Sequence, residues 1–294
     1  DSIPAKTVDF FPEVIDADGK LRPFYTTYAL KRMGYDVILC SAIRAAGDSV
    51  FFPDIRRVAN AVGAARVSAR LELTGNCVTS WAIRLNPYEA QEHLIPLAPA
   101  VMRNPGLSLA DAQKLVSKDM FGVESNEFFE AVETAGKNIP PFICSGSMAV
   151  QWNRLKDSLP APRGHLKGLL ARWKNDDGGK PFEHWKKRLE NAERDILQAL
   201  PLLSSFALKA EKGFETLDCW FDALIMQLWM IRIGKKIFED KVTLETVSRL
   251  QSLRKRTLRM MSMRETPRSA RKNTALVFDW LIEYCRNAKN MRIK

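Results

Sequence analysis

Histidine is scarce. His93, His165 and His184 are the only three in 294 residues, and no two stand at the i, i+4 spacing that sets a pair of metal ligands on one helix face. Cysteine offers no framework either: Cys40, Cys77, Cys144, Cys219 and Cys285 are widely separated, with no C-x-x-C pair. Short-spaced zinc modules, thioredoxin-type redox motifs and H-E-x-x-H hydrolases are thereby excluded. An odd number of scattered cysteines fits reduced thiols in the cytoplasm or nucleus. No long uninterrupted apolar run is present. The most apolar stretch, 219–233, contains Asp222, Gln227 and Arg232 and follows Asp218, which makes it a buried helix rather than a membrane span. The opening residues lack a basic region followed by an apolar run, so no signal peptide is expected. A soluble intracellular protein without membrane contact is the expectation.

Catalytic motifs are missing as well. Gly179-Lys180 runs into Pro181 and Gly136-Lys137 into Asn138, so neither completes a phosphate-binding loop, and there is no G-x-G-x-x-G. No G-x-S-x-G elbow occurs, and Cys144-Ser145-Gly146-Ser147 has no histidine near it in sequence, which leaves helix capping as the role of Ser145. Asp16-Ala17-Asp18-Gly19-Lys20 lacks the further oxygen ligands of a calcium loop and is read as a turn. The pattern predicts a non-catalytic protein with no cofactor and no metal.

What the chain does have is charge, unevenly placed. Its net charge is +11, and the segment from Arg249 to Lys294 contributes 13 Lys or Arg against 3 acids, so nearly all the excess lies in the last sixth. Such asymmetry points to a polyanionic partner. Apolar residues make up 46%, with 15 Phe and 7 Trp, enough for a substantial core and against global disorder.

Helical signals dominate the chain, and the predicted fold class is mainly α. Helices are expected over 24–33 before Gly34, over 36–46 capped by Asp36, and over 54–62 before Gly63. Val67, Ala69, Leu71 and Leu73 then alternate with Ser68, Arg70 and Glu72. After Thr74-Gly75-Asn76 the alternation resumes through Cys77, Thr79, Trp81, Ile83 and Leu85, which predicts one β-hairpin over about 66–85. Pro87 opens a short helix that Pro96 stops, Ser108 with Asp111 caps a helix to about Phe121, and Ser125 opens another to about Ala135. Pro160-Ala161-Pro162 marks a boundary between an N-terminal lobe, 1–160, and an all-helical C-terminal lobe, 161–294. Beyond it, helices are expected over 164–174, 181–199, 201–212, 215–239, 243–261 and 271–289.

On a helical wheel of 243–261, Leu244, Val247, Leu250, Leu253, Leu258 and Met261 share one arc, and Arg249, Lys255, Arg256 and Arg259 the other. Arg254 projects from the apolar arc, where a guanidinium needs a partner. Asp218 and Asp222, four apart on the preceding apolar helix, are the expected partners in a structural ion pair. The connection 262–272 adds Arg264, Arg268, Arg271 and Lys272, and a second cluster holds Arg163, Lys167, Arg172 and Lys174 around Trp173. The final helix is apolar over most of its circumference and is read as core.

These twelve cations form the candidate nucleic-acid-binding set. The expectation is a structural protein that grips the phosphate backbone of RNA or single-stranded DNA with little sequence selectivity, with copies assembling along it as in a nucleoprotein. One alternative is sequence-specific DNA binding by a winged-helix-like N-terminal lobe, with Arg56 and Arg57 on its third helix and Arg70 and Arg84 on the wing. Another is a structural subunit whose basic surface docks an acidic protein.

Overall fold

The computed structural model describes residues 7–10, 25–44, 55–80, 89–138, 181–239, 241–262, 266, 275, 278, 279, 281–283, 285 and 286. The protein is mainly α-helical, with one small sheet near the N-terminus. Strand β1 (Thr7–Phe10), helix α1 (Tyr25–Arg32), strand β2 (Val37–Arg44), helix α2 (Ile55–Arg70) and strand β3 (Gly75–Ser80) form a parallel sheet in the order β1-β2-β3. Short helices α3 (Glu89–Glu92) and α4 (Leu97–Arg103) lead to α5 (Leu109–Phe121) and α6 (Glu127–Gly136). Three long helices follow: α7 (Pro181–Ala207), α8 (Phe214–Phe238) and α9 (Leu244–Ser262). Residues 275, 278, 279, 281–283, 285 and 286 belong to a final helix.

The hairpin expected over 66–85 does not form. Its first half is the last turn of α2, because Val58, Ala61, Val62, Ala65 and Ser68 are buried at helical spacing and their stripe outweighs a four-residue alternation. Gly63 lies inside this helix instead of ending it. The helix stops at Glu72, whose φ of 49° is left-handed, with Leu73 N donating to Ser68 O and Glu72 N to Ala69 O. Lys31 Nζ donates to the Glu72 carbonyl at 2.8 Å and tethers α1 to this turn. Strand β3 then runs parallel to β2, not antiparallel to 67–73.

The helix expected over 36–46 is strand β2. Val37 to Ile43 is buried on both faces apart from half-buried Ile38, as a central parallel strand requires, and a continuous apolar run leaves a helix no polar face. Asp36 caps nothing; its carboxylate accepts from Thr74 Oγ1 at 3.1 Å. With a strand in place of the second helix and no hairpin, the outline of a winged helix is absent from the described residues between 25 and 80.

Other local signals hold. Gly34 (φ 84°) follows α1. Ser108 caps α5 by accepting from Asp111 N at 3.0 Å, and Gly122 (φ 80°) closes it. Ser125 Oγ accepts from Glu127 N at the start of α6. The break expected at Pro201 is missing: α7 passes through this exposed proline. An interior proline costs about 3 kcal/mol, and burial of Leu203 and Phe206 just beyond it holds the helix together.

One apolar cluster runs from Ile43 and Val58 through Phe128 and Trp220 to Leu281 and Cys285, on both sides of residue 160. The proline boundary itself lies outside the described residues. Phe121, Phe128, Phe129, Phe206, Trp220 and His93 pack mostly edge-on, with centroids 4.7–6.0 Å apart. The α7–α8 turn docks on the end of α5: Glu211 N donates to Phe121 O at 2.9 Å, and Lys209 Nζ pairs with Glu127 at 2.7 Å. Gly213 (φ 72°) permits this approach, since a Cβ there would lie 2.7 Å from Met120 O. No helix among the described residues is long and apolar enough to cross a membrane.

Candidate nucleic-acid interface

The cationic helix α9 owes its place to its apolar side. Val247, Leu250, Leu253, Thr257, Met260 and Met261 are buried, and Thr257 Oγ1 lies 3.1 Å from Met226 Sδ on α8. Leu244, placed on the apolar arc by the wheel, is instead 63% exposed at the helix start. Lys255, Arg256 and Arg259 are exposed together. With Ser252 and Met260 they form one lip of a groove of about 750 Å³; Glu215, Asp218, Phe221 and Asp222 of α8 form the other.

Arg254 and Arg256 of α9 pair with the protein's own carboxylates. Arg254 does not reach Asp218 or Asp222. Its Nε donates to Asp279 Oδ1 at 2.7 Å and its Nη2 to Asp279 Oδ2 at 3.3 Å. The expected structural pair is therefore corrected: the arc that holds Arg254 faces the final helix, and the carboxylate that compensates it comes from that helix. Asp222 pairs with Arg256 across the groove. The hydrogen bond to Asp222 holds the Arg256 guanidinium charged to still higher pH, against partial burial. Both ion pairs are half exposed, so each is weak and salt-screened.

Arg249 is half-buried, its guanidinium 3.9 Å from the Trp229 ring centroid, with Arg232 at 5.3 Å from the same ring. Arg232 and Lys235 in turn bond Glu193 on α7 at 2.6 and 2.9 Å, and these bonds lower the Glu193 pKa against the opposing effect of its burial. Arg249 thus belongs to the packing between α8 and α9 rather than to the groove. Of the twelve cations chosen from sequence, the structure brings Lys255, Arg256 and Arg259 together. Arg264, Arg268, Arg271, Lys272, Arg163, Lys167, Arg172 and Lys174 lie outside the described residues.

Sequence reasoning missed Trp229 as a seat for Arg249 and the acidic lip as a unit. The second was legible: Glu215, Asp218 and Asp222 stand at i, i+3 and i+7, one face of a helix. Among the described residues no group of three or more His, Cys, Asp or Glu could hold a metal ion. Comparison with protein-family models, with curated proteins and with solved structures finds no match to this chain.

Proposed function

We propose that this is a non-catalytic nucleic-acid-binding protein that holds the sugar-phosphate backbone of RNA or single-stranded DNA, with little base selection and with copies assembling along the strand in the cytoplasm or nucleus. One observation carries the reading: 13 basic side chains against 3 acids in the last 46 residues, three of those cations exposed together on α9. Lys255 supplies a phosphate contact, and exposed Arg259 stands beside it on the same face of α9. Arg256 can exchange Asp222 for a phosphate, because an exposed ion pair is worth only about 0–1 kcal/mol. The acidic lip opposite favours a single strand, since a second backbone placed there would meet Glu215 and Asp218. Half-buried Phe221 on the acidic lip gives bases an apolar surface.

A second reading has its own support. A protein segment carrying both signs of charge could satisfy both lips, whereas phosphates satisfy only one. Purification of the native full chain, with the absorbance ratio at 260 and 280 nm read before and after nuclease, separates the two. Co-purifying nucleic acid whose digestion disperses the assembly supports the first reading; an assembly free of nucleic acid and indifferent to nuclease overturns it.

A further inference from the structure

Cys40 and Cys77, 37 residues apart in the chain, are partners in register on adjacent parallel strands β2 and β3. Neighbouring strands lie about 4.8 Å apart. That separation falls inside the Cα–Cα range of about 4.4–6.8 Å in which a disulfide closes without backbone movement. Directly paired residues point to the same face. Leu39 packs on Ala64 and Val67 of α2, so its neighbour Cys40 faces away from that helix, and Cys77 with it. The two thiols differ in access: Cys40 is buried and Cys77 exposed.

We propose that Cys40 and Cys77 form an oxidation site, which a peroxide converts to a disulfide stapling β3 to β2. The Cys77 thiolate attacks one oxygen of the peroxide. An S–O bond forms as the O–O bond breaks, the sulfur is oxidised by two electrons to the sulfenic acid, and hydroxide (or an alkoxide, from an organic peroxide) leaves and takes a proton from solvent. The Cys40 sulfur then attacks Cys77. The S–S bond forms, the S–O bond breaks, and the hydroxyl leaves as water with the Cys40 proton.

The surroundings suit this division of roles. Burial, and then the charge and hydrogen bond of neighbouring Cys77, push the Cys40 thiol up, so exposed Cys77 meets the oxidant first and Cys40 gives up its proton only as it attacks the oxidised sulfur. Elsewhere burial pushes Cys285 up to about 12, which makes it a poor competitor. Two sulfurs fall short of the four ligands of a structural zinc site, and no group of three or more His, Cys, Asp or Glu among the described residues could hold a metal. Nothing in this proposal depends on the nucleic-acid reading.

The test is hydrogen peroxide treatment of the reduced full chain, alkylation of remaining thiols and peptide mapping. The expected product is a cross-linked peptide pair containing Cys40 and Cys77, lighter by the two hydrogens lost and restored by dithiothreitol. Cys77→Ser, at an exposed position, should fold and leave Cys40 alkylatable after peroxide. Cys40→Ser should accumulate Cys77 sulfenic acid, trapped by dimedone; where that variant fails to fold, the wild-type map and Cys77→Ser decide. Separate alkylation of both cysteines in peroxide-treated wild type, a link from either to another cysteine, or over-oxidation of Cys77 beside an intact Cys40 would overturn the proposal.

Discussion

Helix α2 lies on β2 through Ala64 and Val67, which pack against Leu39, whereas α5 to α8 close around Phe121, Phe128, Phe129, Phe206 and Trp220. The two regions bury their interiors by different means. Small residues bring helix and strand backbones close but remove little apolar area per residue. An aromatic side chain buries about 150–250 Å², so the helical bundle draws more stabilisation from fewer positions. The sheet layer is specified by shape, and the bundle by volume.

That contrast predicts opposite sensitivities. Phe128→Ala should cost the most, about 3–5 kcal/mol in urea unfolding, because its ring touches four aromatic neighbours and His93 and the void cannot collapse. In the layer the harmful change is added volume. Ala64→Leu, at a fully buried site packed on Leu39 and Val67, should cost about 1–3 kcal/mol by forcing α2 off the sheet. Equal tolerance of both substitutions would erase the distinction.

Smaller changes sharpen it. Glu72 holds a left-handed φ of 49°, which costs an L-residue roughly 1–2 kcal/mol, so Glu72→Gly should stabilise by about 1 kcal/mol after the greater chain entropy of glycine is counted. Its melting temperature checks this. The smallest effect is expected at Glu133 on α6. Burial raises its carboxyl pKa against the opposing hydrogen bond from Gln113. The folded state therefore holds this proton to higher pH than the unfolded chain does, and stability falls as pH rises through that interval. Glu133→Gln keeps an acceptor for Gln113 without the charge. It should be the more stable protein at neutral pH, with the advantage vanishing below the unfolded carboxyl pKa of about 4.3. A pH series of denaturant midpoints measures it.

The same contrast explains what could be read from sequence. Elements with one wet face announced themselves: the caps at Ser108 and Ser125, the stop at Gly34, and α8 and α9 to within a residue or so. Strand β2 has no wet face and so no period, and nothing in the apolar 37–43 run separates a strand from a helix. At Val67–Arg70 two periods overlap, and only contact with β2 decides between them. Proline was misleading at 201, where tertiary packing overrides local preference. At the interface Lys255, Arg256 and Arg259 were legible as one face of α9, whereas Arg249, read onto the same face, packs on Trp229. Their partners were not, because Asp279, Asp222 and Trp229 become neighbours only once three helices are packed. The juxtaposition of Cys40 and Cys77 was hidden for the same reason, as spacing in the chain says nothing about register in a sheet.

Phosphate contact by α9 is tested most directly by the salt dependence of single-stranded RNA binding, wild type against Lys255→Ala/Arg259→Ala. Each phosphate contact contributes about 0.7 to the log–log slope for a single strand. The double variant should bind more weakly at every sequence tried, with a slope shallower by about 1.4. An unchanged slope and affinity would show that these exposed cations meet no phosphate.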